Sequence, residues 1–191
     1  MGETHIWGGT IRKLWFTETE KFRDHMLRLD ADSRRMRFGM VVGDDFIRNY
    51  AGQVSQLESV IYGFFVGGEM HAAAELRMIG DGWSGDAEAA FSVEREYQDS
   101  GVGTELLGRL ILTARNRGVS RLYMNCLSTN RKMQHVAKKY EAELFFDHGE
   151  VVGQLKPSMP TPFSLWTEAL DDGSGFVMAV FEFPLRLSPA A

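Results

Sequence analysis

A single cysteine, Cys126, among 191 residues excludes an intrachain disulfide and suits a reducing compartment. No apolar run approaches the roughly 20 residues that a membrane span requires. The opening stretch MGETHIWGG has neither the basic nor the apolar region of a secretory signal. Basic charge is also in short supply: 21 Lys and Arg stand against 26 Asp and Glu, a formal net charge of −5, which argues against non-specific binding to nucleic acid or to an anionic membrane. The five histidines, at 5, 25, 71, 135 and 148, show no metal-ligand spacing. What is present is an ordinary globular composition, 44% hydrophobic and 25% charged, long enough to bury the core of one domain. The expectation is a cytoplasmic protein with no nucleic-acid, membrane or metal partner.

Polarity along the chain predicts an alternation of strands and helices. Residues 10–16 alternate as a strand, and Thr17 with Glu20 forms a T-x-x-E capping box for a helix to about Leu29. A charge-dense stretch holding Arg34, Arg35 and Arg37 follows. A short helix, DDFIRNYA, comes next, with Asp44 or Asp45 as its cap. Two β-rich runs, 60–66 and 69–79, are separated by Gly67-Gly68, a hairpin signal. Ala87 to Val93 reads as the next strand. A helix with apolar residues Val102, Leu106, Leu107, Leu110, Ile111 and Ala114 follows and stops at Gly118. Arg121 to Cys126 is then a strand, and the β-α-β order makes it a parallel neighbour of Ala87–Val93. Ser128 or Thr129 caps a further helix, and strands at 143–146 and 150–155 close the series around a tight Asp147-His148-Gly149 turn. Three prolines, at 157, 160 and 162, separate residues 1–156 from an extension, 157–191, that begins as a helix. Beyond Gly175 strand propensity competes with helical phase, and the helical reading is preferred.

The chemistry concentrates in QDSGVG, residues 98–103, between a strand and a helix start. Glycines in that setting bare backbone N–H groups, and the helix dipole favours an anion there. Three phosphate motifs compete. A Walker A loop would end in Gly-Lys-Ser/Thr, and here Thr104 and Glu105 follow Gly103. A Rossmann fingerprint would place a third glycine where Leu106 stands. What remains is Gln98-x-x-Gly101-x-Gly103.

That pattern, with the order of elements from about Ile11 to Leu155 and with Asn130 before KMQHVAKKYEAEL, resembles the GCN5-related N-acetyltransferase (GNAT) family. Within it, AEAAFSV–QDSGVGTELL–GVSRLYMNCLSTNRKM is most similar to the catalytic domains of bacterial protein lysine acetyltransferases. The resemblance implies an α/β (α+β) fold: a mixed, mostly antiparallel sheet flanked by helices, with one parallel pair splayed at the coenzyme A site. It implies acetyl-CoA as cosubstrate and no metal. Backbone groups of Phe91 and Val93 would hold the pantetheine arm. The pyrophosphate would lie on N–H groups of Val102, Gly103 and Thr104, near Gln98 and Gly101, and Asn130 would reach the pantetheine or thiol region. Arg131 and Lys132 would meet the ribose phosphate or simply form a solvated helix start. The chain departs from the family in holding Asp99 and Ser100 where a small residue and a Lys or Arg are usual; Ser100 can cap the helix. It also holds Ala137 where many members place an acidic tyrosine.

The resemblance makes Glu88 the general base for a primary amine, a protein lysine or a small cationic molecule, attacking the thioester. On its strand face Glu88 sits with Ala90, Ser92 and Glu94, and Glu75 and Glu94 are the reserve bases. Asp44, Asp45, Glu88, Glu94 and Glu96 together suggest an acidic mouth. Water or Ser128 would protonate the leaving thiolate. Tyr140 is assigned to the core by its helical phase, and Cys126 to a structural position. The alternative is a non-catalytic acyl-CoA-binding or sensing module. The apolar segment from Trp166 to Phe183 suggests a docking face and admits a homodimer.

Overall fold

The computed structural model describes residues 8–54, 59–80 and 85–182, with side chains to residue 176. The turn expected at 80–86 lies largely outside the described residues. The preferred helical reading of the C-terminal segment is met as far as residue 182.

Alternating side chains build the sheet. Its described strands are β1 (Thr10–Lys13), β2 (Ser59–Val66), β3 (Glu69–Met78), β4 (Asp86–Val93), β5 (Arg121–Leu127), β6 (Glu143–Asp147) and β7 (Glu150–Leu155). They lie in the order β1-β2-β3-β4-β5-β7-β6, antiparallel except for β4 and β5. The Gly67-Gly68 turn joins β2 to β3 with both residues at positive φ, as a tight primed hairpin turn demands. The helices are α1 (Thr19–Arg28), α2 (Ala31–Phe38), α3 (Asp44–Gln53), α4 (Val102–Asn116), α5 (Arg131–Lys139) and α6 (Pro162–Glu182).

Each face of the sheet has its own core. The apolar stripe of α4, through Val102, Leu106, Leu107, Leu110 and Ala114, packs on Phe64, Ala72, Ala74, Leu76, Ala87, Ala89 and Leu122. Phe22 and Met26 of α1 and Ile47 and Ala51 of α3 pack on Ile61, Phe65, Met70 and Ala73. A bulge makes both possible. Phe64 pairs with Ala72 but Phe65 pairs with Met70, so His71 is the extra residue of β3.

Several local expectations are corrected. β1 ends at Lys13, and Thr17 caps nothing: Phe16–Glu18 is a 3-10 turn and α1 begins at Thr19. The reason is Glu18, whose buried carboxylate takes both arms of the Arg12 guanidinium at 2.7 and 2.8 Å. The charge-dense stretch forms a helix of its own, α2, because Asp30 caps it by accepting the Ser33 N–H at 2.7 Å. Gly43, not Asp44 or Asp45, is the N-cap of α3, and Asp44 instead pairs with Arg34 at 2.7 Å. Asn130, not Ser128 or Thr129, caps α5 through the Met133 N–H.

Leu107 is fully buried between α4 and the sheet. Its replacement by Ala should cost about 2–5 kcal/mol through lost transfer energy and a residual cavity. Urea unfolding of L107A would check this, and a loss below about 1 kcal/mol would contradict the packing described.

Candidate active site

The parallel pair is short. β4 and β5 are in register only at Asp86↔Arg121, Ala87↔Leu122 and Glu88↔Tyr123, and then they diverge. The fork exposes one edge of β4. The bonds Ile79 N–H to Asp86 O and Glu94 N–H to His71 O fix the even residues of β4 as those bonded to β3. By antiparallel alternation the N–H and C=O groups of Ala89, Phe91 and Val93 point into the fork. Glu88 stands on the last paired rung. Its Oε1 accepts from Asn125 Nδ2 at 3.0 Å, a bridge across the opening.

A groove of about 1090 Å³ follows the fork. Its lining brings together Glu88, Phe91, Val93, Gln98, Gly101, Gly103, Thr104 and Asn130. Val102 is not part of the lining, and its side chain is buried in the α4 core. Gly101 adopts φ +92 as N-cap of α4, a conformation that favours glycine. The first bond of α4 runs from Glu105 N–H to Gly101 O at 3.1 Å, so the N–H groups of Val102, Gly103 and Thr104 precede the helical ladder. A Cβ on Gly101 or Gly103 would meet no protein atom within 4 Å. Packing therefore does not demand glycine at 103; an open backbone cradle at a helix start does, and it fits a pyrophosphate.

Side chains brace this cradle. Gln98 Nε2 donates to Val93 O at 3.0 Å and to Ser33 Oγ at 3.3 Å, tying the glycine turn to the end of β4 and to α2. Ser100 Oγ donates to Tyr97 O, closing the preceding turn; the N-cap of α4 is Gly101, so Ser100 does not take that place. Asp99 turns outward at φ +58 and pairs with Lys132 Nζ at 2.6 Å, which also donates to Gln98 Oε1. The departure from the family pattern at Asp99 is thus met by a cation from the start of α5. Arg95 ties α2 to the rim: it bonds Asp30, and that bond with the Ser33 N–H holds the Asp30 carboxyl down at about 2.

The reserve bases are both committed elsewhere. Glu75 is buried and receives Tyr50 Oη at 2.9 Å and Arg77 at 2.7 Å, with Arg37 at 3.5 Å. Glu94 anchors a cluster behind the groove. Its Oε1 bonds His25 Nδ1 and Arg28 at 3.0 Å, and its Oε2 bonds His71 Nδ1 at 2.8 Å. Burial alone would raise the Glu94 pKa, but hydrogen bonds from the two imidazoles and the Arg28 charge bring it to about 2. His25 is wholly buried, and that burial pushes its pKa below the ordinary value despite Glu94. Neutral His25 then donates from Nδ1 to Glu94 and accepts the Ser92 hydroxyl at Nε2, 2.8 Å away.

Three further expectations change. The mouth is not acidic: Asp44 is paired, Glu94 is enclosed, and the groove carries mixed charge, with Arg37, Arg95, Arg131, Lys132 and Lys139 against Asp32, Glu88, Asp99 and Glu150. Cys126 lines the groove instead of the core, and burial raises its thiol pKa, so the nucleophilic thiolate is disfavoured. Ser128 is absent from the lining, which leaves water as the expected proton donor. Tyr140 sits where its phase placed it: its hydroxyl donates to Thr104 O at 3.0 Å, locking α5 to the first turn of α4. Sequence reasoning missed Asn125 as the partner of Glu88; its position two residues beyond Tyr123 on β5 was the available signal. Among the described residues no group of His, Cys, Asp or Glu has metal-binding geometry.

The Glu94 cluster predicts acid lability. The folded pKa of His25 lies below 6.5 and that of Glu94 below 4.5. As pH falls, the unfolded chain takes up both protons first. Stability should decline as pH drops below about 6.5 through His25, and again from 4.5 towards 2 through Glu94. Urea midpoints between pH 7 and pH 3 would show this decline, with a shallower loss below pH 4.5 in E94Q. A flat profile for the parent chain would refute the assignment.

Comparison with known proteins agrees with this geometry. The model of the acetyltransferase (GNAT) family matches residues 16–141. No protein of curated function matches significantly. Among solved structures, the GNAT domain of the S. lividans protein PAT is 23% identical with a TM-score of 0.67, over 78% of this chain and 90% of that one. A cAMP-binding acyltransferase from Mycobacterium smegmatis, crystallised as a mutant, is 21% identical with a TM-score of 0.58, over 90% of this chain and 52% of its own, so this chain spans about half of it. RimL, a ribosomal alpha-N-protein acetyltransferase solved with coenzyme A, is 15% identical with a TM-score of 0.63, over 78% of this chain and 94% of that one. These identities speak for the fold, and the family model covers more than half of the sequence: the chain belongs to the GNAT family of acetyltransferases.

Proposed function

We propose that this chain transfers an acetyl group from acetyl-CoA to a primary amine, with Glu88 as general base. The observation that carries the reading is the position of Glu88: a carboxylate on the last rung before the fork, on the groove wall, taking a single hydrogen bond, from Asn125, among the described residues. Glu75 and Glu94, the other candidates, are each tied up by cationic and hydroxyl or imidazole donors. In this scheme the pantetheine arm lies in the fork against the backbone groups of Phe91 and the N–H of Val93, whose carbonyl is taken by Gln98. The pyrophosphate rests on the N–H groups of Val102, Gly103 and Thr104, braced by Gln98 and Gly101. Asn130, whose Oδ1 caps α5, lines the groove and would reach the pantetheine or thiol region.

The acceptor approaches from the α2 side, past Ser33, Met36 and Arg37. A lysine-like amine has a pKa of about 10 and must lose a proton to attack. The ammonium first gives up one proton to water; the neutral nitrogen then forms the new bond to the carbonyl carbon, the carbon–sulfur bond breaks, and Glu88 takes the second proton from nitrogen. Sulfur leaves with the electron pair and is protonated by water in the open groove. A protein lysine or a small cationic amine fits this chemistry, and the single cysteine supports a cytoplasmic setting.

A non-catalytic acyl-CoA-binding module is the second reading, favoured by the acidic Asp99 at the cradle and by Ala137 where a tyrosine acid is usual. Two measurements separate them. Free-thiol release from acetyl-CoA with lysine-bearing acceptors should fall 10²–10⁴-fold in E88Q, with coenzyme A affinity by calorimetry unchanged. Equal turnover by E88Q would remove Glu88 as base, and absence of turnover in the parent chain would favour the binding module. Asp99→Asn should tighten coenzyme A binding several-fold by removing a like charge and freeing Lys132; weaker binding would show that the Asp99–Lys132 pair helps to form the cradle.

A further inference from the structure

Helix α6 is oriented against the usual logic of an amphipathic helix. Its polar side faces the domain. Glu168 and Asp172 take Lys13 Nζ at 3.0 and 2.6 Å, Asp171 pairs with Arg109, and Arg117 reaches Glu168 at 3.3 Å. Asn116 bonds Ser164 O and Glu168, and a Cβ on Gly175 would meet Arg12 Cβ at 3.3 Å, so the helix sits close on β1. Its apolar side faces outward: Phe163 is 82% exposed, Trp166 70% and Leu170 63%. From 162 to 176 the acidic residues of α6 are all drawn inward, so the outer face carries no charge.

The outer face has a definite pattern. Phe163, Trp166, Leu170 and Gly173 recur at 3-4-3 spacing along one side of the helix, with Ala169 and Phe176 on its flank, where Phe176 also meets the Trp15 ring edge-on at 5.2 Å. The six-residue face, flank included, maps onto itself. An antiparallel copy related by a two-fold axis between Ala169 and Leu170 sets Phe163 against Phe176, Trp166 against Gly173, and Ala169 against Leu170. Each large residue at the centre of the face thus meets a small one on the other copy. A Cβ on Gly173 would find no atom within 4 Å, so the space is open. A two-fold contact requires one patch complementary to itself, and an uncharged stripe meets its own copy without like-charge repulsion.

We propose that α6 is a homodimerisation helix: two copies of this chain pack antiparallel through Phe163, Trp166, Ala169, Leu170, Gly173 and Phe176, with Trp166 of each seated over Gly173 of the other. The groove lies apart from these residues, so the surface assembles the protein without entering the acetyl-transfer site, and the proposal does not rest on the chemistry assigned there.

The test is the oligomeric state of the full chain by sedimentation equilibrium between 1 and 100 μM. The expected result is twice the monomer mass at the upper end. Trp166→Glu should give the monomer mass at every concentration, with unchanged circular dichroism and thermal unfolding onset showing that the chain still folds. In a Cys126→Ser background, Ala169→Cys, at the axis, should form an inter-chain disulfide under mild oxidation and Phe163→Cys should not. A monomeric parent chain, a dimer that survives Trp166→Glu, or co-sedimentation of a monomer with neutral phosphatidylcholine vesicles through the same face would overturn the proposal.

Discussion

The site depends on the parting of two parallel strands. β4 and β5 share three rungs and then separate, leaving one edge of a central strand without its usual partner. A sheet edge inside a protein is a strong hydrogen-bonding surface, since each bare N–H and C=O must find a donor or acceptor. Here that edge faces a groove. The carboxylate of Glu88 lies at the crotch, and the N-terminus of α4 lies at the far end. In the proposed reading, an extended amide-bearing arm, a phosphate-bearing tail and a reacting carbonyl would each meet complementary groups along one line.

Holding the fork open falls to polar contacts around it. Gln98 ties the glycine turn to Val93, Asn125 spans the opening to Glu88, and Tyr140 fixes α5 against α4. Behind β4, His25, His71, Arg28 and Ser92 gather around Glu94. The bulge at His71 matters to this cluster, because it places the imidazole of an extra residue beside Glu94. Three carboxylates near the groove therefore differ in role by environment alone: Glu75 and Glu94 are saturated with donors, and Glu88 keeps one amide partner and access to the groove.

Much of the architecture was legible in the order of residues. The strand, glycine turn and helix from Ala87 to Gly118 carry period-2 and then 3.6-residue patterns, and glycines stand where positive φ or close approach needs them. The hairpin at Gly67-Gly68 was equally plain, because two adjacent glycines act through local backbone freedom. Caps were read less well. The helix that Asp30 caps, by bonding Ser33 and Arg95, was not anticipated, and Glu18 broke the expected helix start because it paired with Arg12. Those outcomes turn on partners in other elements, which no local window contains.

The sequence by itself determined the family, because its glycine, polarity and residue-type patterns are short-range, and through that resemblance it marked Gln98–Gly103 as a candidate anion cradle and Glu88 as a candidate base. Only the tertiary structure decided that Asp99 turns to Lys132, that Glu75 and Glu94 are committed to partners of their own, and that Cys126 borders the groove. It also decided the facing of α6. Periodicity shows that a helix has two sides, but which side meets the domain depends on Lys13, Arg109, Asn116 and Arg117, and these come together with α6 only when the chain is folded.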